Sequence, residues 1–170
     1  VPAGDWPTGA VHLLSGVNLH VGAGATLRFS TDPAAYPVVF TRWEGIECYN
    51  YSALIYAFGQ HDVAVTGTGT LDGQASLDNW WGWNDKARPP VRQAAARQQL
   101  ADFGERDVPV EQRRFGAGSW LRPNFLQFYR CERVLVEGVT ILRSPMWEIH
   151  PVLSRHVTVR GVTIRSHGPT

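Results

Sequence analysis

The chain has 170 residues, a formal net charge of +1, seven tryptophans, seventeen glycines and two cysteines. That length fits a single domain over 1–170, and the near-neutral balance lacks the basic patch that nucleic acid requires. No apolar run is long enough to span a membrane, and Cys48 and Cys131 lack CxxC spacing, so neither a metal site nor any other cofactor is expected.

The first residues are Val-Pro-Ala-Gly, with neither an initiator Met nor a signal peptide. This leaves the compartment open between the cytoplasm and export after loss of a leader. From Gly9 to Ser30 apolar and polar residues alternate: Val17, Leu19 and Val21 with Asn18 and His20, then Leu27 and Phe29 with Thr26 and Arg28. Residues two apart in a strand share a face, so this predicts short strands with an inward apolar row. Ser15-Gly16 and Gly22-Ala23-Gly24 supply the corners. His12 and His20 fall at polar, exposed strand positions.

Residues 31–52 interrupt the alternation, with turns expected at Asp32-Pro33 and Tyr36-Pro37. Here Arg42, Trp43 and Glu44 place a cation, a large ring and a carboxylate side by side, in an insertion of the kind that lines a binding face. The strand pattern returns at 53–73, where Val63, Val65 and Gly67 match Val134, Val136 and Gly138 at an offset of 71. The match then slips by one, since Leu71 rather than Thr70 takes the inward place, and a bulge is expected there.

An insertion over 74–123 is the largest interruption. Trp80, Trp81 and Trp83 open it, either as a platform for sugar rings or as anchors pinning the long loop to the body. A helix is expected around 90–103 on its run of strong helix formers, with Val91, Ala95 and Leu100 on its packed face and Gly104 as its stop. The two cysteines read as unpaired and buried or half-buried.

Residues 125–166 write one pattern twice. Val134, Gly138, Val139 and Ile141 recur 23 residues later as Val157, Gly161, Val162 and Ile164. A fixed period of this size marks a solenoid, and the β-branched residues favour strands. Two hairpins of a sandwich also alternate, but have no reason to recur at a fixed spacing. The fold class expected is therefore all-β: a parallel β-helix of about four coils with a helix-bearing insertion. Its open ends carry interior-type residues such as Val159 and Ile164, which predicts a homo-oligomer, with the tryptophan stretch at 80–83 contributing to the interface.

Several stretches resemble glycoside hydrolases of family 28, the polygalacturonase family. They include Thr-Arg-Trp-Glu-Gly-Ile-Glu (41–47), Gly-Thr-Gly-Thr-Leu-Asp-Gly (67–73) and Leu-Arg-Pro-Asn-Phe-Leu-Gln-Phe-Tyr-Arg-Cys (121–131). The most specific are Ser-Pro-Met-Trp-Glu-Ile-His-Pro (144–151) and Arg-Gly-Val-Thr-Ile-Arg-Ser-His-Gly-Pro (160–169), and the likeness is to the bacterial exo-acting branch. The resemblance implies a right-handed β-helix, an inverting acid/base hydrolysis of galacturonide-type bonds, and a pectin-type oligosaccharide or polysaccharide as partner. In the family, aspartate motifs that supply the acid and base follow the His-Gly-Pro stretch. Here the sequence stops at Thr170, so it reads as an internal portion or shortened relative, without identified catalytic carboxylates and inactive by itself on polygalacturonate. Glu148 is the one acid in the best-matching motif. The substrate-binding residues implied are Trp147, Glu148, His150 and His167, with Arg42, Trp43 and Glu44 closing one end of the cleft. A non-catalytic carbohydrate-binding β-helix and an oligomeric structural protein are the alternatives.

Overall fold

The computed structural model describes residues 1–166. Strand β1 (Gly4–Thr8) precedes a first coil of β2 (Val11–His12), β3 (Asn18–Val21) and β4 (Ala25–Phe29). An excursion follows as β5 (Val38–Trp43) and β6 (Ile46–Tyr51). The second coil is β7 (Ile55–Phe58), β8 (His61–Gly67) and β9 (Thr70–Asp72). After helix α1 (Arg92–Glu105) come a third coil, β10 (Leu126–Tyr129), β11 (Glu132–Glu137) and β12 (Thr140–Leu142), and a fourth, β13 (Ile149–Val152), β14 (Arg155–Arg160) and β15 (Thr163–Arg165).

Corresponding strands of successive coils stack in parallel, giving three sheets: β1-β4-β9-β12-β15, β2-β7-β10-β13 and β3-β8-β11-β14. The chain is thus a right-handed parallel β-helix, the hand that parallel crossovers take. The repeat seen in the sequence is the rise of one coil, since Val134 pairs with Val157 and Ile141 with Ile164. Val63 and Val134 stack in one inward column, and Leu27, Leu71 and Ile141 in another, all buried. Each such side chain contributes about 1.5–3 kcal/mol by leaving water. Val17 departs from expectation: it is exposed, because it sits in the corner before β3 rather than in the strand.

The slip near Gly67 lies in the corner between β8 and β9. Thr66 pairs with Glu137 and Thr70 with Thr140, so the second coil has one more residue here than the third. The corners stack closely enough to require glycine. A Cβ on Gly138, whose φ is +80°, would lie 2.4 Å from the carbonyl oxygen of Gly67.

The excursion after the first coil is an antiparallel β-hairpin, in which Trp43 pairs with Ile46 across the two-residue tip Glu44-Gly45. Both tip residues have positive φ (42° and 91°), as a tight hairpin turn demands. The hairpin lies on the outer face of the β7–β10–β13 sheet. Tyr56 Oη donates to the Phe40 carbonyl at 2.5 Å, and Thr41 Oγ1 donates to Gln127 Oε1 at 2.6 Å. Covered in this way, Tyr56 and Gln127 are buried although they point away from the β-helix interior.

Helix α1 packs on the hairpin, not directly on the stacked coils. A second core gathers Trp43, Cys48, Ala96, Leu100, Phe115 and Leu121. The buried face of α1 is Gln93, Ala96 and Leu100, whereas Ala95 is exposed and Val91 is the residue before the helix. Gly104 does not stop the helix. It lies within it, where a Cβ would meet Ile46 Cδ1 at 3.2 Å, so its smallness serves close packing. Trp80 and Trp83 belong to the main core, with ring centroids 4.7 Å apart in edge-to-face contact, and so pin the long insertion to the body. Buried in this way they offer neither a sugar platform nor an oligomer contact. Both cysteines are free and buried, and burial pushes the Cys48 thiol up to about 12. Among the described residues no helix is long and apolar enough to cross a membrane.

Candidate functional site

The Ser144–Glu148 turn carries the chain from β12 to β13, and it forms one wall of a cleft of about 320 Å³. Glu44 at the hairpin tip, Trp81 of the insertion, Arg122 and Ser166 complete the lining. Three long-range segments therefore meet here only because the hairpin and the insertion both fold back over the third and fourth coils.

The turn is held rigidly. The carbonyls of Trp147 and Glu148 accept from the Phe125 and Leu126 amides at 2.8 and 3.0 Å. Trp81 Nε1 donates to the Ser144 carbonyl at 2.8 Å, and the Ser144 amide donates to Ser166 Oγ at 2.5 Å. Ser144 is 3% exposed and its hydroxyl oxygen has no partner among the described residues. Trp147 is 42% exposed, with its edge-to-face neighbour His150 at 4.8 Å between centroids. An indole face left open beside polar groups is suited to the apolar face of a sugar ring.

Arg122 is the fixed cation of the site. Its Nε donates to Gln93 Oε1 and its Nη1 to the Pro145 carbonyl, each at 2.9 Å. Burial lowers its pKa, with Glu44 acting in the opposite sense, and from so high a starting value it remains charged. Glu44 is held by Arg97 of α1, Nε to Oε2 at 2.7 Å. Glu148 has no hydrogen bond or ion pair from its side chain among the described residues and borders the same cleft.

Of the residues expected to bind substrate, Trp147, Glu148 and Glu44 do meet in one cleft. His150 lies just behind it. Its Nδ1 faces Asn124 Nδ2 at 2.9 Å and Gln127 Nε2 at 3.1 Å, and both amide groups donate, which leaves its proton on Nε2. Burial lowers the His150 pKa, and the Arg42 charge lowers it further. Arg42 is half-buried against this histidine, away from the cleft, with no partner for Nε among the described residues. Trp43 requires correction: it is 2% exposed and donates from Nε1 to the Arg122 carbonyl at 3.0 Å, so it is a packing residue beneath the site. Alternation along β5 sends it to the opposite face from Arg42. His167 lies outside the described residues. Sequence reasoning missed Arg122, Ser144 and Gln93, although Arg122 stands in the quoted Leu-Arg-Pro-Asn stretch. Among the described residues no three His, Cys, Asp or Glu side chains gather as a metal site.

A larger groove of about 450 Å³ runs between α1 and the hairpin and shares Glu44. Its wall is made of helix residues such as Ala94, Gln98 and Ala101 and includes the buried Trp43, so it offers no open aromatic face.

No family model matches the chain. A hyperthermoactive exopolygalacturonase from Thermotoga maritima superposes with a TM-score of 0.96 at 50% identity, over 99% of this chain and 39% of that one. The chain is a relative of the family 28 polygalacturonases. A probable polygalacturonase of Vitis vinifera is 29% identical over 96% of this polygalacturonase relative, which spans 28% of the grape protein. A family 28 exopolygalacturonase of Yersinia enterocolitica shares the fold, with a TM-score of 0.67 at 18% identity, over 98% of this chain and 33% of that one. The chain thus spans well under half the length of each of these relatives.

Proposed function

We propose that the Trp147 cleft is part of the substrate-binding wall of a pectin-degrading glycoside hydrolase, and that it holds a galacturonide-type sugar. The observation that carries this reading is the exposed indole of Trp147, which lines one cleft with Glu148 and Arg122, in a chain related to polygalacturonases. Trp147 stacks on the ring, Glu148 accepts from sugar hydroxyls, and Arg122 supplies positive charge.

For the 170 residues alone we propose binding without family-type turnover. Inverting hydrolysis uses a protonated and an ionised carboxyl about 6.5–9.5 Å apart across the scissile bond. Glu44 and Glu148 both border the cleft, but Glu44 is committed to Arg97. Calorimetric titration with oligogalacturonides tests the binding. Trp147→Ala is expected to weaken it about tenfold, the loss of one good stacking contact. Absence of saturable binding by the wild-type protein overturns the reading. Reducing-sugar release that Glu148→Gln abolishes would show that the cleft is itself catalytic.

A further inference from the structure

We propose that Arg122 recognises the carboxylate of the acidic sugar in this cleft, and that Gln93 of α1 is the positioning residue that aims it. The inference rests on the sugar-binding reading above and deepens it. It makes the insertion, rather than the stacked coils, the source of the preference for an acidic over a neutral ring.

Gln93 is a buried carboxamide on a helix face otherwise made of Ala96 and Leu100. A polar group in such a place costs free energy unless it is hydrogen-bonded, and its partner is Arg122 Nε. The Pro145 carbonyl holds Nη1 from the other side. A guanidinium has five N–H donors in one plane, and these two contacts orient the plane while leaving the others without protein partners among the described residues. Such a fork engages a carboxylate through two parallel hydrogen bonds, which the hydroxymethyl group of a neutral sugar cannot match. Burial strengthens the effect, because the charge is poorly screened by water. The carboxylate whose charge acts on it, on Glu44, is bonded to Arg97. The Ser144 hydroxyl, buried in the same lining and without a partner among the described residues, is a second polar group that a ligand can engage.

The test is calorimetric titration of the protein with trigalacturonate and with the matching neutral galactose trimer, following melting temperature for each variant. The wild type is expected to favour the acidic trimer by about tenfold or more, the range of a charge-assisted hydrogen bond. Arg122→Lys keeps the charge and loses the fork, and should erase most of that preference, with the acidic trimer losing far more affinity than the neutral one. Gln93→Glu keeps an acceptor for Nε and sets a negative charge against the guanidinium. It should weaken the acidic trimer several-fold and the neutral trimer much less, so that the ratio of the two affinities falls. A purely structural Gln93 would leave acidic affinity untouched in Gln93→Glu. Wild-type affinity for trigalacturonate in both variants overturns the proposal, as does a wild type that binds the two trimers alike; in either case the cleft still binds sugar. If neither trimer binds the wild type, the sugar-binding reading fails as well.

Discussion

His150 is held in its neutral form by two carboxamides that donate to Nδ1, by burial and by the nearby Arg42 charge. Its native pKa is therefore depressed below the ordinary value of 6.5. As pH falls through that value the unfolded chain takes up a proton that the folded chain refuses, so stability is lost on acidification until the lower native pKa is reached. The melting temperature should fall between about pH 7 and pH 5, and His150→Gln, whose amide oxygen can accept from the same donors, should flatten part of that fall in differential scanning calorimetry. Some slope should remain, because burial also lowers the pKa of His12. At this scale the sequence was partly readable. Trp147 and Glu148 stand together in one motif, and local spacing is enough to bring them to one turn. Arg122 was hidden, since what fixes it in the cleft is its grip on Gln93 and Pro145, 29 and 23 residues away. Trp43 was misread because a ring between two charges looks like a binding surface until a strand sends it to the other side.

Among the elements, the coils were legible because their period is a physical spacing: each inward Val or Ile must sit above its counterpart one turn earlier. The corner glycines follow from the same spacing. Gly138→Ala would put a methyl group 2.4 Å from the Gly67 carbonyl at a φ of +80°. We expect it to cost about 2–3 kcal/mol in urea denaturation, the combined scale of overpacking and left-handed backbone strain. The β5–β6 hairpin was not legible. Its tip is Glu-Gly rather than Asn-Gly, and its inner face is recognisable only once the sheet beneath it exists. The face of α1 was misassigned for a related reason: its partner is that hairpin, so a helix judged against the stacked coils is judged against the wrong surface.

For the molecule as a whole, the β13–β14–β15 coil has a partner coil on one side only among the described residues, and Val159 and Ile164 are 45% and 50% exposed there. We propose that this edge pairs with a second copy when the 170-residue chain is isolated, since exposed strand edges and apolar rows invite a further strand. Light scattering coupled to size exclusion is expected to give at least a dimer at micromolar concentration, and a monomer mass would rule the pairing out. The hairpin has a different consequence for the molecule. In a simple stack each coil touches only its neighbours, so the ends can fray one repeat at a time. Here one outside element is bonded to Tyr56 in the second coil and Gln127 in the third, and Gln127 in turn bonds His150 in the fourth. It acts as a splint across three storeys, so those coils gain and lose order as a single cooperative unit, and the cleft at the hairpin tip shares the rigidity of the whole stack rather than of its last turn.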